Sequence, residues 1–275
     1  SLNVSGSSHL ETGDQLLIQG GGTFAATSIT ATGIGQGTIS ISGNNLISYT
    51  DFEPVRSTID SAEVVLSNAT GGGGFTINDS GFAGETQAAA PVGSPIFFRN
   101  PTSQLTLNGD LVGDDVLNID GFGSGFNAGL IIDGRGGNDI ANWNTIQVPA
   151  SLNITGETIN LNSGSVSTLG SQTLNGAVVA TANTILSGSN IVSIGSFQTG
   201  STTVTLVDPD GVELRGVAIV GGGGSLISAT GFQLAPGGAL TGKGTVTGSV
   251  IAGPASNVSP GLSPGLLTTD SITFQ

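Results

Sequence analysis

The sequence predicts an all-β chain wound as a parallel β-helix, a β-solenoid of many short strands. Three observations predict it: an internal repeat, apolar alternation in runs of three to five residues, and glycine or asparagine closing nearly every run. Side chains two apart on a strand share a face, so such runs present one apolar and one polar side. Glycine and asparagine supply the positive φ that sharp bends need. Strands this short with bends this frequent suit a coil better than a sandwich.

The repeat lies in LTLNGDLVGDDVLNIDGFGSGFNAGLIIDGRGGNDIANWN, Leu105 to Asn144. Leu107-Asn108-Gly109 is answered by Ile132-Asp133-Gly134, and GDDVLNID from Gly113 by GNDIANWN from Gly137. A period in the range of roughly 20–50 residues marks repeat architectures, and one β-helix turn needs about that length. Val116, Asn118 and Asp120 should point one way and Leu117 and Ile119 the other. If the two copies are neighbouring coils, Asp114-Asp115 lies over Asn138-Asp139.

Composition narrows the class. A solenoid buries each coil only against its neighbours, so 275 residues are compatible with one domain over 1–275. Glycine, 47 residues without a three-residue period, is not collagen, and 37% hydrophobic residues are not a disordered chain. Nineteen acids against five bases give a formal charge of −14. No basic patch is left to displace counterions from phosphates, which excludes nucleic acid, and polyanions such as pectate would be repelled. Divalent cations fit that balance. There is no cysteine, hence no disulfide or thiol chemistry. An acidic Thr/Ser/Asn/Gly-rich chain with one lysine points to a secreted protein of the cell surface or extracellular matrix. No stretch approaches the ~20 apolar residues of a membrane span. Ser1 opens with no charged or apolar leader, so the chain is expected to be processed or a piece of a longer one.

Taken in order, Ser1 to Tyr49 alternates throughout (LNVSG, QLLIQ, SITAT, TISIS). Residues 51–61, DFEPVRSTIDS, break the pattern and predict a projecting loop or cap. Residues 71–99 carry a glycine run, Pro91 and Pro95 and predict a second excursion. Within it, the neighbours Phe97 and Phe98 cannot both face one core. From Ser151 to Gln198 short runs return, punctuated every eight to twelve residues, the spacing of two or three strands per coil. A third excursion is expected at 207–212, around Asp208-Pro209-Asp210-Gly211. The C-terminal segment regains coils, with Pro254, Pro260 and Pro264 at bends or edges.

Three segments carry a family resemblance. ISYTDFEPVRST, the Leu105–Trp143 stretch and GALTGKGTVTGSVIAGPASNVSPGLSPGLL together resemble bacterial exported β-helix repeat proteins of the autotransporter-passenger and adhesin kind, the last segment resembling their autotransporter-associated strand repeat. The resemblance covers roughly half of the chain. It implies a β-helix at the cell surface or matrix, with no enzyme activity and no catalytic residue to carry over.

Candidate chemistry is sparse. GRGGND, Gly134 to Asp139, overlaps half of the calcium-binding nonapeptide pattern. Asp110, Asp114, Asp115, Asp133, Asn138 and Asp139 would furnish one calcium site, since calcium takes six to eight oxygens; the alternative is Asn and Asp placed for turns. His9 reads as a surface residue. Asp208 and Asp210 are a carboxylate pair of the kind glycosidases use, but one Trp and one Tyr give little aromatic platform. Threonine pairs Thr203/Thr205 and Thr245/Thr247 are of the ice-binding type, and β-propensity alone also selects them. The leading expectation is a structural subunit stacking head to tail on its own copies. An adhesin segment binding surface glycans, or adjoining other parts of a longer passenger, is the alternative, and a lyase or hydrolase ranks third.

Overall fold

A computed structural model describes residues 2–7, 14–69, 71, 73–90, 94–261 and 265–275. His9, Pro91 and Pro264 lie outside them. All 29 strands of the described residues join one mostly parallel network, with no helix, as a β-solenoid of about 8 turns. No helix among the described residues is long and apolar enough to cross a membrane. The chain divides into two compact units, Ser1–Ala141 and Asn142–Gln275.

The first unit holds β1 (Leu2–Ser7), β2 (Asp14–Gly20), β3 (Thr23–Gly33), β4 (Gln36–Ile41), β5 (Ile47–Tyr49), β6 (Phe52–Ser57), β7 (Asp60–Asn68), β8 (Thr76–Asp79), β9 (Glu85–Ala89), β10 (Ile96–Arg99), β11 (Gln104–Asn108), β12 (Val116–Ile119) and β13 (Gly129–Asp133), and β14 (Ile140–Trp143) runs across its boundary. Parallel pairing stacks equivalent positions: Ile29, Leu66, Leu107 and Ile132 form one inward column, and Thr27, Val64, Leu105 and Leu130 its neighbour. Each of these residues is at most 3% exposed, and each large apolar one contributes about 1.5–3 kcal/mol of burial. The expected alternation holds at β12, where Leu117 and Ile119 are buried and Val116 and Asp120 exposed.

Two expected excursions are strands instead. Residues 51–61 supply β6 and the start of β7. β6 pairs in parallel with β2 and β10; Val55 and Ser57 are buried on either side of Arg56, while a register shift against β2 between Phe52 and Val55 leaves Phe52, Glu53 and Pro54 half-buried. The described residues of 71–99 form an antiparallel detour: β9 pairs with β8 on one side and β10 on the other, while β8 and β10 rejoin the parallel ladders to β12 and β6. Phe98 is buried and Phe97 half-buried, as neighbours on one strand must be. Antiparallel strands also flank the first coils, β1 along β2 and the β4–β5 hairpin along β3.

The second unit is more regular. It contains β15 (Leu152–Leu161), β16 (Ser165–Ser167), β17 (Gln172–Ala180), β18 (Thr184–Ser187), β19 (Ile191–Ile194), β20 (Phe197–Gln198), β21 (Thr203–Val207), β22 (Val212–Leu214), β23 (Val217–Val220), β24 (Ser225–Ser228), β25 (Phe232–Leu234), β26 (Ala239–Gly242), β27 (Thr245–Ala252), β28 (Asn257–Ser259) and β29 (Thr268–Phe274). Three ladders run through it. One joins β16, β18, β21, β24 and the first halves of β27 and β29. The second joins the later half of β17 to β20, β23, β26 and β28. The third joins the start of β17 to β19, β22 and β25 and then to the later halves of β27 and β29. The expected excursion at 207–212 is one corner of this triangle: Asp208–Gly211 turns the chain from the first ladder to the third.

Corners carry the glycines for a steric reason. A Cβ on Gly176 would sit 1.9 Å from the Gly156 carbonyl oxygen, on Gly195 2.5 Å from that of Gly176, and on Gly216 1.7 Å from that of Gly195. These positions form a column in which each coil's backbone passes through the space of the next one's side chain. Gly216→Ala should therefore cost about 2–4 kcal/mol in urea unfolding. Gly222→Ala, with nothing within 4 Å, should change stability by less than about 0.5 kcal/mol.

Tyr49, the sole tyrosine, is 5% exposed on β5, and burial pushes its phenol up to about 12. A raised folded-state value favours the folded protein below pH 10, and that contribution is lost as pH rises from about 10 through about 12. Phenolate absorbance should titrate near 12 in the native chain and near 10 in urea; a native midpoint at 10 would contradict the burial.

Candidate functional site

The repeated stretch builds a cluster of buried carboxylates in the first unit, Asp110, Asp115 and Asp139. β11 and β13 pair with Leu107 against Ile132 and Asn108 against Asp133, the two strands 25 residues apart. Beyond the strands the two Gly/Asp corners stack as expected: Ile140 N–H donates to the Asp115 carbonyl at 2.8 Å, and Asn138 N–H to Asp114 Oδ1 at 2.8 Å. Asp114-Asp115 thus lies over Asn138-Asp139.

The carboxylates point at backbone. Asp110 N–H donates to Asp115 Oδ2 at 2.6 Å, and Asp115 N–H to Asp139 Oδ1 of the next coil at 2.9 Å. Leu111 N–H donates to Asp110 Oδ1, and Arg135 N–H to Asp133 Oδ1 at 3.1 Å. Asp115 is 0% and Asp139 1% exposed. Glycine makes room for them: a Cβ on Gly109 would meet Asp115 Oδ2 at 2.5 Å, and one on Gly134 would meet Asp139 Oδ2 at 2.4 Å. The LNGD and IDGR spacings are therefore a carboxylate with a glycine that yields space to it. The network caps N–H groups that the corner takes out of the ladders.

The calcium expectation placed six oxygens around one ion. The fold brings Asp110, Asp114, Asp115, Asn138 and Asp139 together at stacked corners, whereas Asp133 stands at the end of β13, holding its own turn. Among the described residues no three Asp, Glu or His side chains converge in a way that would hold a metal ion. Asp115 Oδ1, buried, accepts no hydrogen bond from the described residues.

The other singled-out groups are also engaged. Asp208, 1% exposed, accepts from Ile191 N–H at 2.6 Å and from Asp210 N–H at 3.0 Å, so it caps a corner as Asp115 does. Arg99 pairs with Asp60 and Arg215 with Glu213 at the surface. The Arg215–Glu213 hydrogen bond raises the guanidinium's already high value further. Sequence reasoning missed Arg56, whose Nε and Nη2 each donate to Glu85 at 3.1 Å while its guanidinium lies 4.2 Å over the Phe82 ring. Arg56 lies on β6 while Phe82 and Glu85 lie on the detour, and no repeat period links the two segments, so no sequence signal joined them.

The chain was compared with protein families, curated proteins and solved structures. None matches. The fold and the side chains themselves thus carry the functional argument.

Asp115→Ala should destabilise the chain by about 1–3 kcal/mol, since the Asp110 N–H loses its acceptor inside the fold. Asp114→Ala, on the exposed rim of the same corner, should cost less than about 1 kcal/mol. Equal losses in urea unfolding would refute the capping role.

Proposed function

We propose that this chain is a structural subunit of a secreted or cell-surface fibre, with copies stacking end to end and no enzymatic activity. The observation that carries the reading is the C-terminal face of the second unit. Among the described residues no strand covers the outer edges of β28 and β29. Beside them lies a cleft of about 250 Å³ lined by Val258, Pro260, Leu266, Leu267 and Ile272. Leu266 and Phe274 are 74% and 63% exposed. The inward column Val212, Phe232, Val250, Ile272 runs out into this face. An open strand edge over apolar columns is a template for another coil, of a continuing chain or of a second copy; between copies, a head-to-tail contact that does not close gives filaments.

Charge supports the same reading. Ser1–Ala141 holds 14 of the 19 acids and three of the five bases, a formal −11, and Asn142–Gln275 the remaining five and two, −3. From Gly244 to Gln275 the one charged residue is Asp270, so a copy approaching this face meets little repulsion. The resemblance to exported β-helix repeat proteins fits a surface or matrix location.

An adhesin segment is the second reading. It is favoured by Phe82, 50% exposed at the turn between β8 and β9 with Arg56 over its ring, an aromatic face of the kind on which sugars stack. Binding on a glycan array that Phe82→Ala abolishes would support it.

Negative-stain electron microscopy of the purified chain should show long uniform filaments. Phe274→Glu, at an exposed side chain, should leave folded single particles, because it places a charge on the stacking face. Isolated particles from the unmodified chain would overturn the fibre.

A further inference from the structure

The first ladder of the second unit presents an outer surface that stacking along the axis does not use. On its strands from Ser165 to Thr268 every outward side chain is Ser, Thr, Ile or Val. The two threonine pairs of the sequence share columns here. Thr203, Ser225 and Thr245 form one, and Ile185, Thr205, Ile227 and Thr247 another. A protein of formal charge −14 repels its own copies, and from Ser165 to Thr247 this sheet carries no outward charge; Asp270, bonded to Gly248 N–H on the last strand, stands at its rim.

The surface also carries a knob and a hole. Ile185 is 47% and Val207 49% exposed. One to two coils further on, a cleft of about 260 Å³ opens between strands β21 and β24, lined by Thr205, Val207, Pro209, Ile227 and Ala229. Ile185 and Ile227 lie on either side of Thr205 in one column. A two-fold axis along the strand direction at Thr205 therefore exchanges them, which is the condition for an isologous contact.

We propose that two copies of this chain pair laterally through this sheet, their axes antiparallel, with Ile185 of each entering the cleft beside Ile227 of the other. Methyl groups fill the clefts and hydroxyls meet hydroxyls, as in the packing of two sheet faces. The footprint is roughly 25 Å by 15 Å, five coils by one strand, or about 800 Å² counted over both partners. A contact of that size is weak for an isolated pair, and repetition along stacked copies multiplies it. Lateral pairing is thus a second, independent direction of assembly.

The chain has no cysteine, so Thr205→Cys gives a single thiol on the axis. The test is made in the Phe274→Glu background, where end-to-end growth is blocked and the fibre reading cannot decide the outcome. With a short bifunctional thiol reagent at roughly 100 μM protein, Thr205→Cys should cross-link to dimer about tenfold faster than Thr241→Cys on the neighbouring ladder, since paired thiols react at an elevated effective concentration. Ile185→Glu should return the Thr205→Cys rate to that of the control, and circular dichroism of each variant checks that the strands are intact. Equal rates for the two thiols, or a Thr205→Cys rate indifferent to Ile185→Glu, overturn the proposal. Retention on a neutral crystalline polysaccharide without accelerated cross-linking overturns it too and gives the face to a glycan.

Discussion

Close approach of backbone to backbone at the corners is the constraint on which the rest depends. A parallel ladder fixes the distance between coils, and when the chain turns between ladders it carries its carbonyls into the space above the next coil. The glycine column Gly156, Gly176, Gly195, Gly216 is where this is tightest, with the carbonyl oxygen 1.7–2.5 Å from each added Cβ above it. Large inward residues can then stack in register, because no corner side chain pushes the coils apart. Abundant glycine is thus a condition of the apolar columns.

Corners also remove N–H groups from the ladders, and a short carboxylate restores their partners. Asp110, Asp115, Asp139 and Asp208 all do this, three of them in the acidic first unit. Asparagine and threonine serve on the outer side, as where Asn162 donates to Asn144 Oδ1 and accepts from Thr181. The sparse charge of the second unit leaves its sheets to Ser, Thr, Val and Ile, the residues a pleated surface accommodates best.

Periodicity made the coil legible in the sequence: an offset of 25 placed β11 on β13, and one of 24 placed Asp115 over Asp139. It did not give the direction in which the acids point. An Asp beside a Gly has the same spelling whether its oxygens hold an ion or a backbone N–H, and the choice depends on the height of the next coil. Charge misled at Asp51 to Ser61: three acids and an arginine resembled a loop, yet the segment pairs as a strand with Val55 and Ser57 inward. The β8–β9–β10 detour was seen as irregular but not as strands, since its pairing is antiparallel and follows no period. Gln172, fully buried and donating to the Val166 and Ser187 carbonyls, was invisible because a lone polar residue in a strand resembles an outward one.

The coil length has a mechanical meaning. In the second unit a position meets its partner after 18 residues between Phe232 and Val250 and 22 between Val250 and Ile272. Each coil closes against the one before it, so order can advance coil by coil without waiting for distant segments. Pulled from one end, the same unit would give way a coil at a time, each releasing on the order of 65 Å of extended chain. Under load such a unit would lengthen in steps set by the coil rather than all at once.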